Sequence, residues 1–386
     1  MAVKQINTSH ILPSGWAGPF IDAGSVYVLC LDGSNQPEVW KSGTDPLVDS
    51  WTQQDSANEP SLGTGNTYGA AYQLSDQIHM AFYDDTGPNA EYSVFRSASH
   101  GSANTWGTVN ETIQGGITNA GWNFCLFAMR ADGDRICLYN GTRERIMGNN
   151  FARVVYARWE GSSWVTDIAV SASGLEYSAE PYAIGRGASD KMHMVFWQSA
   201  SNWYGYRALD NANTLSSYQI GGSDLTPGST ARSPVCTYFD SSGNEVIGHV
   251  LQLGTLGVYN QTWTNSGTVS TPIVASGHAS PAYPMSAVYG KKVYAIWKDN
   301  TAGDIYYAIS DDGAAFGSKT LLYDASGATT RISANVFTRG SNDVLAFVVT
   351  DGGDLYYDEL VISAPAEIYP RNPILFQRAV ERAAYW

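Results

Sequence analysis

One strand–turn–strand pattern recurs along most of the chain and constrains the fold more than any other feature. In its clearest copy, residues 292–310 hold two apolar runs separated by an Asp-Asn turn, and Asp-Gly follows at 312–313. Short apolar runs joined by such turns are typical of antiparallel hairpins. The other copies lie at 26–31, 78–83, 136–139, 192–197, 246–251 and 344–348, which makes seven repeats in all.

The spacing of these copies indicates how they are arranged. Equivalent positions recur every 47 to 57 residues or so, roughly the repeat length of propellers and longer than most solenoid repeats. Each copy follows another short strand, and a fourth strand after it often carries tryptophan, as at Trp51, Trp106 and Trp164. Four antiparallel strands repeated radially make a propeller blade. The sequence therefore predicts an all-β fold, a seven-bladed β-propeller over residues 1–362.

The two ends of the chain depart from the repeat. The last repeat, from Ile332 to Ile362, shows only three clear strands, and Val3–Thr8 has the pattern of a fourth. We expect the N-terminal strand to complete the last blade, since a ring closed by hydrogen bonds leaves no free edge. Residues 363–386 form a separate Pro-rich linker and apolar tail, in which the spacing of Leu375 and Ala379 predicts a short helix.

Composition excludes several classes of function. A net charge of -14 and a pI near 4.7 argue against nucleic-acid binding, which needs clustered Lys and Arg. The four cysteines lie in apolar runs without metal-ligand spacing, so we expect them to be buried and reduced. No metal or cofactor is expected. The sequence shows neither a signal peptide nor a membrane-spanning run, so we expect synthesis in a cytoplasm and no membrane insertion.

A turn late in the sequence suggests a family. Residues 310–316 resemble a shortened Asp-box, the Ser-x-Asp-x-Gly-x-x-Trp turn of sialidases, with Ser310, Asp312, Gly313 and Phe316 at the key positions. Together with the sevenfold repeat, it makes residues 1–362 resemble sialidase-like, BNR-repeat propellers of the kind found in tailed-phage structural proteins. In such a turn the carboxylate accepts backbone N–H bonds and the aromatic ring packs between blades. The resemblance implies architecture rather than catalysis.

Catalytic residues of a sialidase do not carry over to this chain. No arginine precedes Arg96, and the Arg-Ile-Pro element of that family is missing. A glycosidase needs two carboxylates across a sugar, but most acids, such as Asp32 and Asp299, lie in turns, which leaves Asp22 and Glu180 as the ring-facing candidates. His79, His193 and His249 occupy equivalent strand positions, which predicts hydrogen-bonded strand histidines rather than a metal site.

Aromatic residues near the starts of inner strands and in connecting loops are the candidates for ligand binding, because sugars pack their C–H faces on aromatic rings. The densest aromatic loop is predicted at residues 199–206. Packing between blades is the alternative explanation for these rings. The candidate ligand-binding residues are Trp122, Tyr182, Trp203, Tyr204, Tyr206, Arg232, Tyr283 and Arg331.

These observations predict a non-enzymatic, virion-associated propeller, in a phage tail or on a capsid surface, that binds host glycans or a partner subunit. The alternative is a sialidase-like glycoside hydrolase with an unrecognised catalytic set. The apolar tail is expected to dock on other virion or assembly subunits, or to pack on its own propeller. Its candidate docking residues are Ile374, Leu375, Phe376, Tyr385 and Trp386.

Overall fold

The computed structural model describes most of the repeat region. The described residues are 3–13, 15–61, 70–84, 87, 89–117, 125–140, 144–146, 149–151, 153, 154–171, 179–187, 190–198, 203–221, 235–240, 242–253, 257–264, 269–270, 273–276, 281–299, 301–325 and 331–362. Strands are the only regular elements among them, and no helix there is long and apolar enough to cross a membrane.

The first half of the chain begins with strand β1 (Lys4–Asn7) and then builds three blades. Blade 1 consists of β2 (Phe20–Asp22), β3 (Ser25–Leu31), β4 (Pro37–Lys41) and β5 (Thr52–Gln54). Blade 2 consists of β6 (Ala70–Leu74), β7 (Gln77–Asp84), β8 (Asn89–Arg96) and β9 (Thr105–Gln114). Blade 3 consists of β10 (Cys125–Met129), β11 (Arg135–Asn140), β14 (Val154–Trp159) and β15 (Trp164–Ala169), with the small hairpin β12 (Glu144–Ile146) and β13 (Asn149–Phe151) inserted between its second and third strands.

The second half of the chain continues the same order. Blade 4 consists of β16 (Ala179–Arg186), β17 (Met192–Gln198), β18 (Trp203–Leu209) and β19 (Gln219–Ile220). Blade 5 consists of β20 (Cys236–Phe239), β21 (Glu245–Leu253), β22 (Gly257–Thr264) and β23 (Val269–Ser270), with β24 (Ile273–Ser276) also paired to β22. Blade 6 consists of β25 (Pro281–Tyr289), β26 (Lys292–Asp299), β27 (Ile305–Ser310) and β28 (Thr320–Tyr323), and blade 7 begins with β29 (Arg331–Arg339), β30 (Asn342–Asp351) and β31 (Asp354–Ile362).

The N-terminal strand closes the ring as predicted. Strand β1 pairs antiparallel with β31, with Lys4 opposite Tyr357 and Gln5 opposite Tyr356. The seventh blade therefore has the order β1-β31-β30-β29, with three strands from the end of the repeat region and one from its beginning. The prediction of a seven-bladed, all-β propeller with four-stranded antiparallel blades is confirmed. The predicted helix of the tail lies outside the described residues.

The hydrophobic core runs through the inner half of every blade. The second strands are buried along nearly their whole length, as in β3, whose six residues Val26–Leu31 are all buried. Such strands are apolar on both faces because each sheet packs against a blade on either side. The four cysteines are free thiols inside this core, as predicted.

The Asp-box-like turn of blade 6 has the predicted hydrogen bonds. The Asp312 carboxylate accepts bonds from the backbone N–H groups of Ala314, at 2.9 Å, and Ala315, at 3.3 Å, and these bonds lower the pKa of Asp312. Gly313 has φ +72°, and a Cβ there would overlap the Tyr238 hydroxyl of blade 5. Phe316 packs against buried residues of blades 5 and 6. The turn is thus a contact between blades, and its carboxylate has a structural role.

Polar bonds at the ends of inner strands also join neighbouring blades. Asp22, at the end of β2, accepts bonds from the Ser97 hydroxyl at 2.6 Å and from the Ser99 backbone at 2.8 Å, both in blade 2. Arg130, which follows β10, donates to the Asn213 side chain at 2.9 Å and to the Asp210 carbonyl at 2.5 Å in blade 4. Asp22 was a candidate acid in the sequence, and these bonds give it an architectural role instead.

Candidate functional site

The structure places three predicted ligand-binding tyrosines in a buried cluster between blades 4 and 5. Tyr182, Tyr204 and Tyr206 are at most 4% exposed and pack with Trp263 and other apolar residues. The prediction of an aromatic loop at 199–206 is wrong from Trp203 onward, because Trp203–Leu209 is strand β18. Strand residues packed against the next blade lose the free ring face that a ligand needs, and packing between blades is the alternative that the sequence had left open.

The other predicted residues divide into two groups. Tyr283 and Arg331 are half-buried, and the Arg331 guanidinium donates to the Leu12 carbonyl. For Trp203 only the backbone, in β18, is described. The remaining predicted residues lie outside the described residues: Trp122, Arg232, Ile374, Leu375, Phe376, Tyr385 and Trp386. The binding and docking roles predicted for them stay predictions.

Two of the acids that the sequence placed in turns have the hydrogen bonds of a turn. The Asp32 carboxylate accepts the backbone N–H bonds of Ser34 and Gln36, and Asp299 accepts that of Thr301 at 2.8 Å. In the part of the chain that the structure describes, no three His, Cys, Asp or Glu side chains are grouped to hold a metal ion.

Two buried histidines are bonded as the sequence predicted. His79 Nδ1 lies 2.6 Å from the Tyr92 hydroxyl, and His193 Nδ1 lies 2.8 Å from the Tyr206 hydroxyl. Burial lowers the pKa of both imidazoles from 6.5 to about 3, so both are neutral at ordinary pH. A neutral imidazole offers one donor and one acceptor nitrogen, and the tyrosine hydroxyl satisfies one of them.

The described region that best fits a binding site lies between blades 2 and 3. We call it the Arg135 cluster and define it as Tyr92, Glu111, Arg135, Trp159 and Trp164. The guanidinium carbon of Arg135 lies 4.6 Å from the ring centroid of Tyr92 and 4.7 Å from that of Trp159. The Arg135 side chain is 25% exposed, and both tryptophans are half-buried. A cation stacked on two rings is thereby held within reach of solvent.

The hairpin geometry of blade 3 brings these groups together. Arg135 is the first residue of β11, whereas Trp159 ends β14 and Trp164 begins β15, so all three lie at one end of the blade. Trp159 and Trp164 are paired across the β14–β15 hairpin, with ring centroids 5.5 Å apart. Neighbouring blade 2 supplies Tyr92 from β8 and Glu111 from β9. The cluster therefore depends on the packing of two blades.

Glu111 sets the charge and orientation of the cluster. One of its carboxylate oxygens accepts a bond from the Trp164 indole N–H at 2.8 Å, and the other lies 3.8 Å from Arg135 Nη1. The Glu111 side chain is 28% exposed. The single positive charge of Arg135 is thus offset by a single negative charge beside it, and the cluster carries little net charge.

Chemically, the cluster offers what a sugar requires. Half-buried indole rings accept the C–H face of a pyranose, a guanidinium donates to hydroxyl oxygens, and a carboxylate accepts hydroxyl protons. The rings and the cation are fixed by stacking and by the indole bond, so little side-chain freedom is lost on binding. Nothing in the arrangement resembles the pair of unshared carboxylates that glycoside hydrolysis needs.

Sequence reasoning missed this cluster. Trp164 was recognised only as a fourth-strand tryptophan, and Arg135 and Trp159 were not singled out. Glu111 and Trp159 each lie 24 positions from Arg135 in the sequence, Trp164 lies 29 positions away, and Tyr92 lies 43 positions away. A usable signal was that Arg135 and Trp159 both end or begin strands at the same side of a predicted blade, which places them together once the hairpins are paired.

Comparisons with solved structures agree with the fold. An ulvan lyase of polysaccharide lyase family PL25 has a TM-score of 0.60, with 10% identity over 94% of this chain and 96% of that chain. The same enzyme bound to -[GlcA(1-4)Rha3S]- gives a TM-score of 0.59, with 10% identity over 93% of this chain and 95% of that chain. A leech intramolecular trans-sialidase gives 0.48, with 8% identity over 93% and 92% of the two chains. At such low identity, the likeness to the ulvan lyase shows the fold alone.

Sequence comparisons add no family. No protein-family model matches the chain, and the search of curated proteins gave no match.

Proposed function

We propose that this chain is a carbohydrate-binding propeller that holds a sugar at the Arg135 cluster without cleaving it. The observation that carries the proposal is the stacking of the Arg135 guanidinium, on a side chain that is 25% exposed, between Tyr92 and Trp159, with the Glu111 carboxylate beside it. Aromatic faces give a sugar its contact area, and the arginine and glutamate select the direction of its hydroxyl groups. The ligand class that fits is a sugar without net charge, because the cluster's own charges offset each other.

The fold supports this proposal in a general way. The similar propellers include an ulvan lyase bound to -[GlcA(1-4)Rha3S]-, which is a carbohydrate ligand of that protein. A propeller scaffold presents loops and hairpin ends on a rigid ring, and rigid elements position binding residues better than free loops do. The site itself is argued from the residues of this chain alone.

The biological setting we propose is a virion. A propeller carried on a virion would present its ring to host glycans, with the apolar tail attached to another particle subunit. Deleting residues 365–386 is expected to abolish association with purified particles and to leave glycan binding intact. Particles that retain the shortened protein at full occupancy would contradict the anchoring role of the tail.

A glycan array combined with detection of released sugar tests the binding function. The wild-type protein is expected to retain neutral glycans without releasing sugar. Trp159→Ala and Arg135→Met are each expected to weaken that binding about tenfold or more, since each removes a principal contact. Glu245→Gln is the matched control, because Glu245 begins the second strand of blade 5 as Arg135 does that of blade 3.

Thermal unfolding of each variant identifies any loss of binding that comes from misfolding. Wild-type protein that retains no glycan would contradict the proposal, as would Trp159→Ala and Arg135→Met variants that fold and bind as tightly as wild type. Released sugar would show an enzyme and overturn the non-catalytic function.

A further inference from the structure

A second group of residues, at the other end of the ring, has the opposite electrostatic character. Lys298 is half-buried near the end of β26, and its ammonium lies 5.9 Å from the ring centroid of Tyr283 on β25. Among the described residues, Lys298 forms no ion pair with a carboxylate. Burial alone lowers the pKa of its ammonium, with no neighbouring acid to oppose the shift.

The two acids that flank the β26–β27 turn, Asp299 and Asp304, are engaged elsewhere. Asp299 accepts the backbone N–H of Thr301 at 2.8 Å. Asp304 accepts the backbone N–H of Ala325 at 3.0 Å with one oxygen and the Tyr306 hydroxyl at 3.4 Å with the other. These bonds hold both carboxylates in the β26–β27 hairpin region, so neither neutralises Lys298. A partly desolvated cation without a counter-ion is unfavourable in the free protein and is stabilised when an anion binds.

The backbone at Tyr283 is itself unusual. Tyr283 has φ +48°, a left-handed conformation that is uncommon for an aromatic residue. It lies in a β-bulge, because the pairing of β25 with β26 shifts register between Ala282 and Met285. Bulges redirect side chains, and strained residues of this kind concentrate at binding and catalytic sites. The bulge places a half-buried ring beside the unpaired ammonium.

The location separates this pair from the Arg135 cluster. Arg135 is the first residue of a second strand, whereas Lys298 is next to the last residue of one. The second strands run in the same direction in every blade of a propeller, so the two sites face opposite ends of the ring. Glu111 offsets the charge of Arg135, while Lys298 keeps its charge in a protein of net charge -14.

We propose that Tyr283 and Lys298 form a second carbohydrate site, which takes a sugar carrying an oxyanion, either a uronic acid carboxylate or a sulfate ester. The ring of Tyr283 packs on the C–H face of the sugar, and the ammonium of Lys298 pairs with its anionic oxygens. Lysine acts as a point charge with three donors and does not require bidentate geometry, so both kinds of oxyanion fit. This site goes beyond the proposed function of the Arg135 cluster and does not depend on it.

Isothermal titration with three disaccharides tests the second site. The first carries glucuronic acid, the second carries a sulfate ester, and the third is their neutral parent. At low ionic strength the wild type is expected to bind at least one anionic disaccharide about tenfold more tightly than the neutral parent, and salt is expected to reduce the difference. Lys298→Gln is expected to remove the preference, and Lys298→Arg to retain most of it.

Lys319→Gln is the matched control in the same blade, since Lys319 also lies over a tyrosine ring, 4.6 Å from the centroid of Tyr306, but is exposed. Arg135→Met, titrated in parallel, separates the two sites. Loss of anionic binding in Lys298→Gln with Arg135→Met unaffected supports the second site even if the Arg135 cluster binds nothing. Equal affinity of the Arg135→Met variant for anionic and neutral sugars, or a Lys298→Gln variant that keeps the preference, would overturn it.

Discussion

The interface between blades 2 and 3 and the interface between blades 4 and 5 are built on the same buried pair. In both, a histidine on the second strand bonds a tyrosine thirteen residues later on the third strand. In both, the next blade contributes a charged residue that begins its second strand, Arg135 in blade 3 and Glu245 in blade 5. The two interfaces differ in how deeply the tryptophan beside the tyrosine is buried. Fully buried Trp263 stacks on Tyr206 with centroids 5.4 Å apart, whereas half-buried Trp164 lies 6.0 Å from Tyr92.

This difference separates what the ring requires from what it does not. Blades 4 and 5 pack with an apolar ring over the pair, so this interface forms without a partly exposed cation between two aromatic faces. The stacked Arg135, with Glu111 beside it, is therefore an addition to a working interface. Groups that packing does not require are candidates for binding, because they leave part of their surface to solvent.

The largest effect is expected from removing a tryptophan ring at each of the two interfaces. Trp263→Ala is expected to lower the free energy of unfolding by about 3–5 kcal/mol, because it opens a cavity in a fully buried contact. Trp159→Ala, at the half-buried ring of the Arg135 cluster, is expected to cost less, about 1–2 kcal/mol, because part of the ring is already exposed to solvent. Urea denaturation measures both. Equal losses of stability would contradict the difference in burial between the two tryptophan rings.

Acid is expected to weaken both interfaces. His79 and His193 have pKa values of about 3 in the folded protein against 6.5 in the unfolded chain, mainly through burial. The unfolded state therefore binds more protons as pH falls below 6.5, and stability is lost from there down to about pH 3, by about 1.4 kcal/mol per pH unit for each histidine. Unfolding free energies at pH 7, 6 and 5 measure the slope. A flat profile over this range would contradict neutral histidines.

A smaller effect is expected when either tyrosine loses its hydroxyl. Tyr92→Phe and Tyr206→Phe each leave a buried imidazole nitrogen without its partner, which costs on the order of 1 kcal/mol. Similar losses in the two variants would show that the pair has the same role in both interfaces. Tyr307→Phe is the control, because Tyr307 is half-buried and its hydroxyl makes no hydrogen bond to a described residue.

The smallest effect is expected from replacing the charged residue beside each histidine. The two replacements are expected to shift the histidine pKa in opposite directions. Arg135 is a like charge that lowers the pKa of His79, so Arg135→Met is expected to raise that pKa. Glu245 Oε1 lies 3.9 Å from His193 Nε2 and favours the protonated ring, so Glu245→Gln is expected to lower the pKa of His193. Each shift is expected to be below about one unit. The midpoint of acid unfolding should move in opposite directions, and shifts of the same sign would contradict the comparison.

The ring and its closure were predictable from the sequence because their signals are local or periodic. Seven copies of one hairpin pattern fix the number of blades, and the missing fourth strand near Ile362 predicts the role of Lys4–Asn7. The turn around Asp312 was predictable for the same reason, since its hydrogen bonds join residues within five positions.

The candidate sites were not predictable in the same way. The Arg135 cluster combines side chains of two blades. How one blade packs on the next cannot be predicted from a pattern of residues that are close in sequence. The density of aromatic residues was misleading, because the tyrosines around Tyr204 alternate into a buried strand rather than line a loop. Tyr283 was found because it lies at the start of an inner strand, but the bulge and the unpaired Lys298 beside it required the backbone geometry.

The pairing of Lys4–Asn7 with β31 also sets an order of events during synthesis. The ribosome makes the first strand of the closed ring about 350 residues before its partner. Blades 1 to 6 are each made of consecutive strands, so each can form once its own residues have left the ribosome. Blade 7 can form only when β1 and β31 are both available. Until residue 362 has left the ribosome, the nascent ring is an open arc with an unpaired strand at one end, and such edges attract other chains. The risk of aggregation is therefore greatest before the last strand has left the ribosome.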